Sequence, residues 1–507
     1  MHRNFYFLLL LLVVFSSCKK DKVTTNSNTT TKASALDLLK DSVYAYAQEE
    51  YLWYDAMPAY NTFNPRQYTG STDLAALQAE VDALSQLKIN TTTNSAYEYD
   101  PSYPGTAKYS YIDQGQAATV IGGTGGDFGF SVFYQAYNDL RIKYVYAGSP
   151  AGNAGLVRGY KITAVNNSTN IYYDPNSSTP SKDANLLYVV NALSGNSITL
   201  TLQKPDGSTF NAVVNRASYT INPVLKYTTL TTAGGKTVGY FAFNQFTDLS
   251  SNAKAKIDEA FNYFSTKGIT ELVVDLRYNG GGSVQTSAYL TNWIVPTAQN
   301  GTTMFTEYFN KRLQNDDYPF LAKKYQINKG EFSTANNTQK FAKVGNLNLS
   351  RVFFLVTGNT ASASELLINN LKPVMNVQII GQTTYGKPTA FFAIPVGSYD
   401  LYLVEIENRN AAGQADYYQG MVPGSATFPG YKTGDDITKD FGDPNESMLA
   451  HALNYMDKSS YSLTNNKVLS TNTNSTLSDE AVRAMNEKMS PDPFKGMVIN
   501  QPQHRKN

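Results

Sequence analysis

The first hundred residues alternate apolar and polar positions at helical spacing. From Leu36 to Leu52, apolar residues recur at mixed three- and four-residue steps, and Pro58 ends the pattern. A second run over Asp73–Leu87 keeps Leu74, Leu77, Val81 and Leu84 on one face. These runs predict a mostly helical N-terminal domain over residues 35–116, and its aromatic side chains are expected to form core rather than a ligand site.

The pattern changes over residues 117–220, where short strand-like runs alternate with Gly, Asn and Pro. Pro205-Asp206-Gly207 is typical of a hairpin turn. A separate β domain is therefore predicted. Its clearest strands are Ile142–Tyr146, Lys161–Val165, Ser197–Gln203 and Thr209–Val214.

Strands and helices alternate over residues 221–460, which predicts a layered α/β core and makes the chain an α+β / α/β multi-domain protein. Residues 295–350 are polar and are interpreted as an insertion near the site, while residues 461–507 are predicted to be a loosely ordered polar tail with a short helix near Asp479–Lys488. The predicted core elements are strand Val238–Phe243, helix Asn252–Lys267, strand Glu271–Leu276, helix Ser283–Ile294, strand Arg351–Val356, helix Ser364–Leu371 and strand Val377–Ile380.

The N-terminus has the pattern of an export signal. Arg3 precedes an apolar run from Phe5 to Phe15, which is too short to span a bilayer and ends before Cys18. Small residues before this cysteine resemble a bacterial lipobox, which implies a lipoprotein signal peptide (1–17), lipidation of Cys18 and a flexible anchored tether (18–34) in the bacterial cell envelope. The alternative is an ordinary signal peptide with an incidental cysteine. Cys18 is the single cysteine, so an intrachain disulfide is excluded and a cysteine metal site is implausible.

Charge and histidine content narrow the chemistry. The 507 residues carry 42 Lys+Arg and 41 Asp+Glu without a basic stripe, which argues against nucleic acid as a partner. The three histidines are His2, His451 and His504. A serine nucleophile needs a base, which here is either His451 or a buried lysine whose pKa is lowered.

Ser362 is the candidate nucleophile. It follows a predicted strand and precedes an apolar helix, within Thr360-Ala361-Ser362-Ala363-Ser364-Glu365. That position exposes a hydroxyl at a helix N-terminus, where backbone N–H groups stabilise an oxyanion. The same letters also fit a capping box, in which Ser362 and Glu365 only start a helix.

Lys387 is the candidate base, 25 residues after Ser362 in Gly386-Lys387. An isolated Gly-Lys is more often a surface lysine. Gly381 to Lys387 also fits a phosphate-binding loop, but Pro388 stands where Ser or Thr would hold magnesium, so no nucleotide cofactor is expected. After the predicted buried strand Glu271–Leu276, Gly280-Gly281-Gly282 offers either backbone donors or a plain strand-to-helix turn.

The ordered set "DLRYNGGG", "TASASELL" and "GQTTYGK" resembles the C-terminal processing (tail-specific) protease family of serine peptidases. "GSPAGNAGLVRGYKITAVNN" resembles a circularly permuted bacterial PDZ domain, in which Phe128-Gly129-Phe130 would hold a peptide's carboxylate. The resemblance implies a PDZ-like domain at 117–220 and a crotonase-like Ser-Lys protease core at 221–460, with no metal or nucleotide. Its implied site residues are Ser362 as nucleophile, Lys387 as base, and Ala363 with Gly281 or Gly282 as the oxyanion hole.

Two positions depart from the family pattern. Phe391 stands where many relatives carry a Gln that hydrogen-bonds to the lysine, and Gly424 stands where they carry Asp. Phe391 can desolvate Lys387 but cannot orient it through a hydrogen bond. The main hypothesis is a lipid-anchored endopeptidase that acts on polypeptides; the alternatives are an inactive PDZ-containing peptide-binding lipoprotein and a surface lipoprotein that captures glycans or peptides. The sequence does not predict an oligomeric state.

Overall fold

The computed structural model describes residues 33–174, 182–463, 489 and 496–499. Cys18, the predicted signal peptide and almost all of the predicted tether lie outside these residues, as does the helix predicted near Asp479–Lys488. Among the described helices, none combines the length and hydropathy that a bilayer crossing requires. The membrane anchor at Cys18 therefore stays a prediction.

The N-terminal segment packs directly on the α/β core. Helix α1 begins after Ser34, whose hydroxyl accepts the N–H of Asp37 at 3.0 Å. Its buried side chains, such as Val43, belong to the same hydrophobic core as Phe241 of the main sheet, so the segment has no separate core. The elements are α1 Ala35–Glu50, α2 Tyr60–Phe63, α3 Asp73–Ser85, β1 Ile89–Asn90, β2 Ser95–Ala96 and β3 Tyr111–Asp113.

The next unit is an antiparallel sheet with the strand order β5-β6-β7-β8-β9, named here the five-stranded unit. It has its own hydrophobic core, in which alternate strand positions are buried. The predicted strands and hairpin are present. The elements are α4 Gln116–Ile121, β4 Thr124–Gly125, β5 Phe130–Ala136, β6 Asp139–Val145, α5 Pro150–Asn153, β7 Lys161–Val165, α6 Ala184–Leu193, β8 Ser197–Gln203, β9 Thr209–Asn215 and β10 Tyr219–Thr220.

The core is a six-stranded sheet in which all neighbours are parallel except β11 and β12. Its strand order is β11 (Val224–Thr231), β12 (Thr237–Phe243), β13 (Glu271–Asp275), β17 (Arg351–Val356), β18 (Asn376–Gly381) and β23 (Gly430–Lys432). Its central strands are buried along their length, as expected for a sheet covered on both faces. The first elements are β11 Val224–Thr231, β12 Thr237–Phe243, α7 Lys254–Lys267, β13 Glu271–Asp275, β14 Gly281–Ser283 and α8 Val284–Ile294.

The polar segment 295–350 is not a simple loop insertion. Its strand β15 joins the four-stranded sheet β16-β15-β22-β19 beside the core. Met304 and Phe305 of β15 enter the main hydrophobic core, which explains why this strand is ordered. The elements are β15 Thr303–Phe309, α9 Lys311–Gln314, α10 Leu321–Lys324 and β16 Thr338–Lys340.

The remaining core elements include the two helices that decide which side of the sheet carries the site. Leu366 of α11 packs in the core on one face, with Phe354, whereas Met448 of α12 packs on the other face, with Phe353. The elements are β17 Arg351–Val356, α11 Ala363–Leu371, β18 Asn376–Gly381, β19 Thr389–Ala390, β20 Ile394–Val396, β21 Tyr399–Tyr402, β22 Ile406–Asn410, β23 Gly430–Lys432 and α12 Ser447–Lys458.

The predicted loosely ordered tail is wrong for its last described residues. Strand β24, Gly496–Val498, pairs in parallel with β14. The reason is local composition, because Met497 is apolar and fully buried within the otherwise polar tail.

Candidate active site

Ser362 lies between β17 and α11, at the position that the sequence predicts. Its backbone is strained, with φ 61° and ψ −110°, a left-handed conformation that a residue other than glycine rarely adopts. The side chain is buried, and within the described residues its hydroxyl has no hydrogen-bond partner. The hydroxyl therefore does not cap the helix. Ala363 begins α11, where first-turn N–H groups lack intrahelical acceptors.

Asn279 ties the glycine run to the serine turn. Its side-chain amide donates to the carbonyl of Phe243 at 2.9 Å. Its backbone carbonyl accepts the N–H of Ala361 at 3.1 Å and the hydroxyl of Ser364 at 3.0 Å. Its side-chain oxygen accepts the N–H of Gly281 at 2.9 Å. Gly281 therefore uses its N–H within the chain, and the predicted oxyanion role with Ala363 is carried forward for Gly282.

Gly281 must be a glycine because of what surrounds its Cα. Its φ is 113°, and a Cβ there would lie 3.0 Å from Ser362 Cβ and 3.1 Å from the Ala363 nitrogen. Gly282, with φ 130°, leaves no more room, since a Cβ would meet the Phe246 carbonyl oxygen at 2.1 Å. The glycine run therefore allows backbone to approach the serine turn closely.

Glu365 joins the two candidate catalytic residues. Its Oε2 accepts the backbone N–H of Ser362 and that of Lys387, each at 2.8 Å. Its Oε1 accepts the Gly386 N–H at 2.7 Å and the Thr384 hydroxyl at 2.5 Å. One buried carboxylate thus fixes the serine turn against the lysine loop, a role that exceeds the helix cap considered from the sequence.

Lys387 is fully buried, so it is not a surface lysine. Its ammonium nitrogen lies 3.8 Å from the ring centroid of Phe391 and 5.5 Å from that of Tyr109. Burial lowers the pKa of Lys387 to about 7, although the carboxylates of Glu98, Glu405 and Glu365 act in the opposite direction. A lysine with this pKa can accept a proton near neutral pH.

Two residues of the N-terminal segment that the sequence did not single out surround Lys387. Glu98 is buried, and it accepts hydrogen bonds from the Tyr51 hydroxyl at 2.8 Å and from the Ser110 N–H at 2.7 Å. Tyr109 donates its hydroxyl to the carbonyl of Gly386. Neither residue lies in a recognisable motif, so only the packing of the segment on the core reveals them.

A buried ion network centres on Arg277, shortly before the glycine run in the sequence. Arg277 donates to Asp275 at 2.9 Å, to Asp435 at 2.6 Å and to both oxygens of Glu446 at 3.1 Å. Arg158 of the five-stranded unit reaches the same Asp435 oxygen at 3.0 Å. Arg277 above all holds the pKa of Asp435 at about 2, against the opposing effect of burial. The network links β13, α12 and the five-stranded unit.

His451 does not belong to the site. It lies in α12, on the face of the sheet opposite to α11, and its Nδ1 is 2.7 Å from the carbonyl oxygen of Tyr461. The base considered from the sequence as an alternative to lysine is therefore removed. Within the part of the chain that the structure describes, no cluster of three or more His, Cys, Asp or Glu side chains could hold a metal ion.

The predicted peptide-carboxylate loop is only partly available. Phe128 and Phe130 are buried in the core of the five-stranded unit. Gly129 adopts φ 79°, as the loop requires, but its N–H donates to Asp127 at 2.6 Å. Tyr219 donates its hydroxyl to the same Asp127 oxygen at 2.8 Å. A carboxylate of the chain thus already engages the central N–H of this loop.

Comparison with known proteins assigns the class. Residues 237–413, which include Ser362, Lys387 and the glycine run, match peptidase family S41. The resemblance to the C-terminal processing proteases is thereby confirmed.

Two of the relatives that the chain matches are named as C-terminal processing proteases. The chain is 30% identical over 209 residues to the carboxyl-terminal-processing protease of a Picosynechococcus species, which covers 40% of this chain and 42% of the relative. It is 25% identical over 253 residues to the carboxy-terminal processing protease CtpB of Bacillus subtilis, covering 49% of this chain and 44% of the relative. The chain thus spans less than half the length of these two relatives.

A solved structure shares the fold. The crystal structure of a Bacteroides fragilis protein described as an S41 protease superposes with a TM-score of 0.57 at 24% sequence identity. The match covers 82% of this chain and 96% of the other chain. The fold of an S41 protease therefore extends over most of the present chain.

Proposed function

We propose that the protein is a serine endopeptidase in which Ser362 is the nucleophile and Lys387 the general base. The observation that carries the proposal is the shared Glu365 oxygen, which brings the backbones of both residues together around a buried lysine of lowered pKa. The match of the core to peptidase family S41 supports the same reaction class.

The residues supply each step of acyl transfer. Neutral Lys387 takes the proton of Ser362, whose oxygen attacks a peptide carbonyl carbon. The N–H groups of Ala363 and Gly282 stabilise the oxyanion that forms. Protonated Lys387 then gives its proton to the departing amine, which leaves an ester on Ser362. Lys387 deprotonates a water that hydrolyses this ester, and the proton returns to Ser362.

Polypeptide is the proposed substrate, recognised near its C-terminus. The five-stranded unit resembles a PDZ domain in sequence, and its strand order leaves β5 at one end, where a peptide can add as a further strand. The names of the two curated relatives agree with action at C-terminal segments. The proposed localisation is the bacterial cell envelope, with the chain anchored through lipid on Cys18.

The catalytic proposal is tested with Ser362→Ala and Lys387→Ala in cleavage of casein and of a reporter protein with an apolar C-terminal tail. We expect both variants to lose activity, and a fluorophosphonate probe to label wild type but not Ser362→Ala. Lys343→Ala is the matched control, because this partly buried lysine donates to Trp293 rather than lying beside Lys387. Undiminished cleavage by both site variants would refute the assignment.

The anchor needs its own test. Cells that express the chain are fed an alkyne-labelled fatty acid, and the protein is isolated and examined for label. Wild type should carry the label and Cys18→Ala should not. An unlabelled wild-type protein would reject the lipid anchor without touching the catalytic proposal.

A further inference from the structure

The last described residues of the chain lie beside the candidate nucleophile. Strand β24 pairs in parallel with β14, with Gly282 opposite Met497. On its other side, the N–H of Phe391 donates to the Met497 carbonyl at 3.0 Å, and the N–H of Ile499 donates to the Phe391 carbonyl at 3.0 Å. The segment is thus held as an extended strand between two backbone edges.

The segment reaches the proposed oxyanion site. A Cβ on Gly281 would meet the Gly496 carbonyl oxygen at 2.4 Å, Ser362 Cβ at 3.0 Å and the Ala363 nitrogen at 3.1 Å. These three groups therefore converge on one small volume.

The register defines which carbonyl faces which donor. In each bridge of a parallel pair, one of the two residues both donates and accepts the hydrogen bonds. Met497 is not that residue, because the Ser283 N–H already donates to Phe246 and the Met497 carbonyl already accepts from Phe391. The remaining pattern directs the N–H of Gly282 to the carbonyl of Gly496. The carbonyl of Gly496 thus faces the N–H group that is proposed for the oxyanion hole.

The side chains of the segment also have prepared places. Met497 is fully buried in the main core, and the side-chain amide of Asn408 lies 3.9 Å from its sulfur. Val498 packs against a small cluster formed by Ala117, Phe391 and Tyr402. A small residue followed by two apolar residues therefore fits this groove.

A second contact lies further back along the same segment. The hydroxyl of Ser131, on the end strand β5 of the five-stranded unit, donates to the carbonyl of Met489 at 3.1 Å. Met489 is buried in the core of that unit. Met489 thus contacts the unit proposed to capture C-termini, and Gly496 lies at the proposed oxyanion site.

We infer that the groove between β14 and Phe391 binds extended polypeptide with a Gly-apolar-apolar pattern, and that residues 496–499 of this chain occupy it as a substrate-like inhibitor. The inhibitory meaning rests on the proposed peptidase function, whereas the binding of such a segment does not.

Activity measurements test the inhibition. We compare two variants with wild type in cleavage of a fluorogenic peptide. One ends at Leu463; the other is full-length Met497→Asp, which keeps the test valid if the truncated chain does not fold. Because an intramolecular competitor acts at about millimolar effective concentration, we expect both to cleave about tenfold faster or more. Val213→Asp, at an exposed position of β9, is the control and should match wild type. Equal rates for wild type and both variants would overturn the inference.

Binding measurements separate this inference from the catalytic proposal. A labelled, C-terminally amidated peptide of residues 489–499 is titrated into the Leu463-terminated chain carrying Ser362→Ala. Saturable binding, lost when Met497 of the peptide is replaced by Asp, supports the groove even if no variant proves to be a peptidase. If the peptide does not bind but the wild type is active, the proposed groove is refuted and the catalytic proposal stands. A wild-type mass lacking residues 497–507, restored by Ser362→Ala, would also support it.

Discussion

The ammonium nitrogen of Lys387 lies 3.8 Å from the centre of the Phe391 ring. A cation over an aromatic face is stabilised by the ring. Burial acts in the opposite direction on the charged form and lowers the pKa of Lys387 to about 7. Phe391 thus places an apolar ring against one side of the candidate base, where it cannot offer the ammonium a side-chain hydrogen bond.

The first prediction concerns the pH profile. Below pH 7 Lys387 is protonated and cannot accept the serine proton, whereas above pH 7 it is neutral. We therefore expect kcat/KM to rise with pH about a midpoint near 7 and then to level off. The measurement uses a peptide without ionisable side chains from pH 5.5 to 9. A rate that falls across this range would contradict the assignment of the base.

Phe391→Gln should move that midpoint. An amide oxygen near the ammonium favours the charged form, so the pKa of Lys387 should rise by about one unit and activity at pH 7 should fall accordingly. Phe391→Leu keeps an apolar side chain at this position and is the matched control, for which we expect the wild-type midpoint. Identical midpoints in all three proteins would show that Phe391 does not tune the lysine.

Glu365→Gln tests the shared oxygen. The amide can accept only at one side-chain atom, so it cannot reproduce all four hydrogen bonds that Glu365 accepts. Because a displacement of about 1 Å costs roughly 100-fold in rate, we expect kcat to fall by about that factor with little change in KM. The control is Glu446→Gln, which disturbs the ion network but not the lysine loop. A proportionate rise in KM would indicate substrate binding instead.

Two substitutions of Ser362 should differ in stability. The strained backbone conformation suits glycine and disfavours alanine. Glycine therefore relieves a strain of about 1–3 kcal/mol, and its greater conformational freedom in the unfolded state partly offsets this gain. Ser362→Gly should thus be more stable than Ser362→Ala by about 1 kcal/mol, and both should be inactive. Urea unfolding measures the difference. A more stable alanine variant would show that the conformation is not strained.

Glu80 provides a prediction about stability and pH. Burial raises the pKa of this carboxyl to about 9, and neither oxygen has a hydrogen-bond partner within the described residues. Below its ordinary pKa of 4.5 the group is protonated in both states, so its ionisation does not affect stability. As pH rises toward 9, only the unfolded state ionises, and the native state loses stability. Glu80→Gln should therefore stabilise the protein by about 3 kcal/mol at pH 7 and by little at pH 4.5, measured by urea unfolding.

The sequence predicted the parts of the site that lie in short motifs. Ser362 follows a strand and Lys387 ends a glycine turn, because local backbone geometry requires particular residues at those places. The tight glycine run is likewise a local requirement. The hydrophobic pattern also predicted the buried strands of the core, since they are short, mostly apolar runs.

The environment of Lys387 could not be predicted in the same way. Glu98 and Tyr109 come to the lysine through the packing of the N-terminal segment on the core, which no local pattern encodes. Strand β24 was missed for another reason: three apolar residues in a polar tail are too few to define a strand without the partner edges of β14 and Phe391.

The covering of the site by β24 has a consequence for the timing of synthesis. A ribosome makes Tyr109 early, Ser362 and Lys387 later, and Gly496 after all of them. At about 5–20 residues per second, the strand that covers the site follows the lysine by roughly 5–20 s. A chain that folds as it is made therefore passes through a short interval in which its candidate active site is assembled and still open.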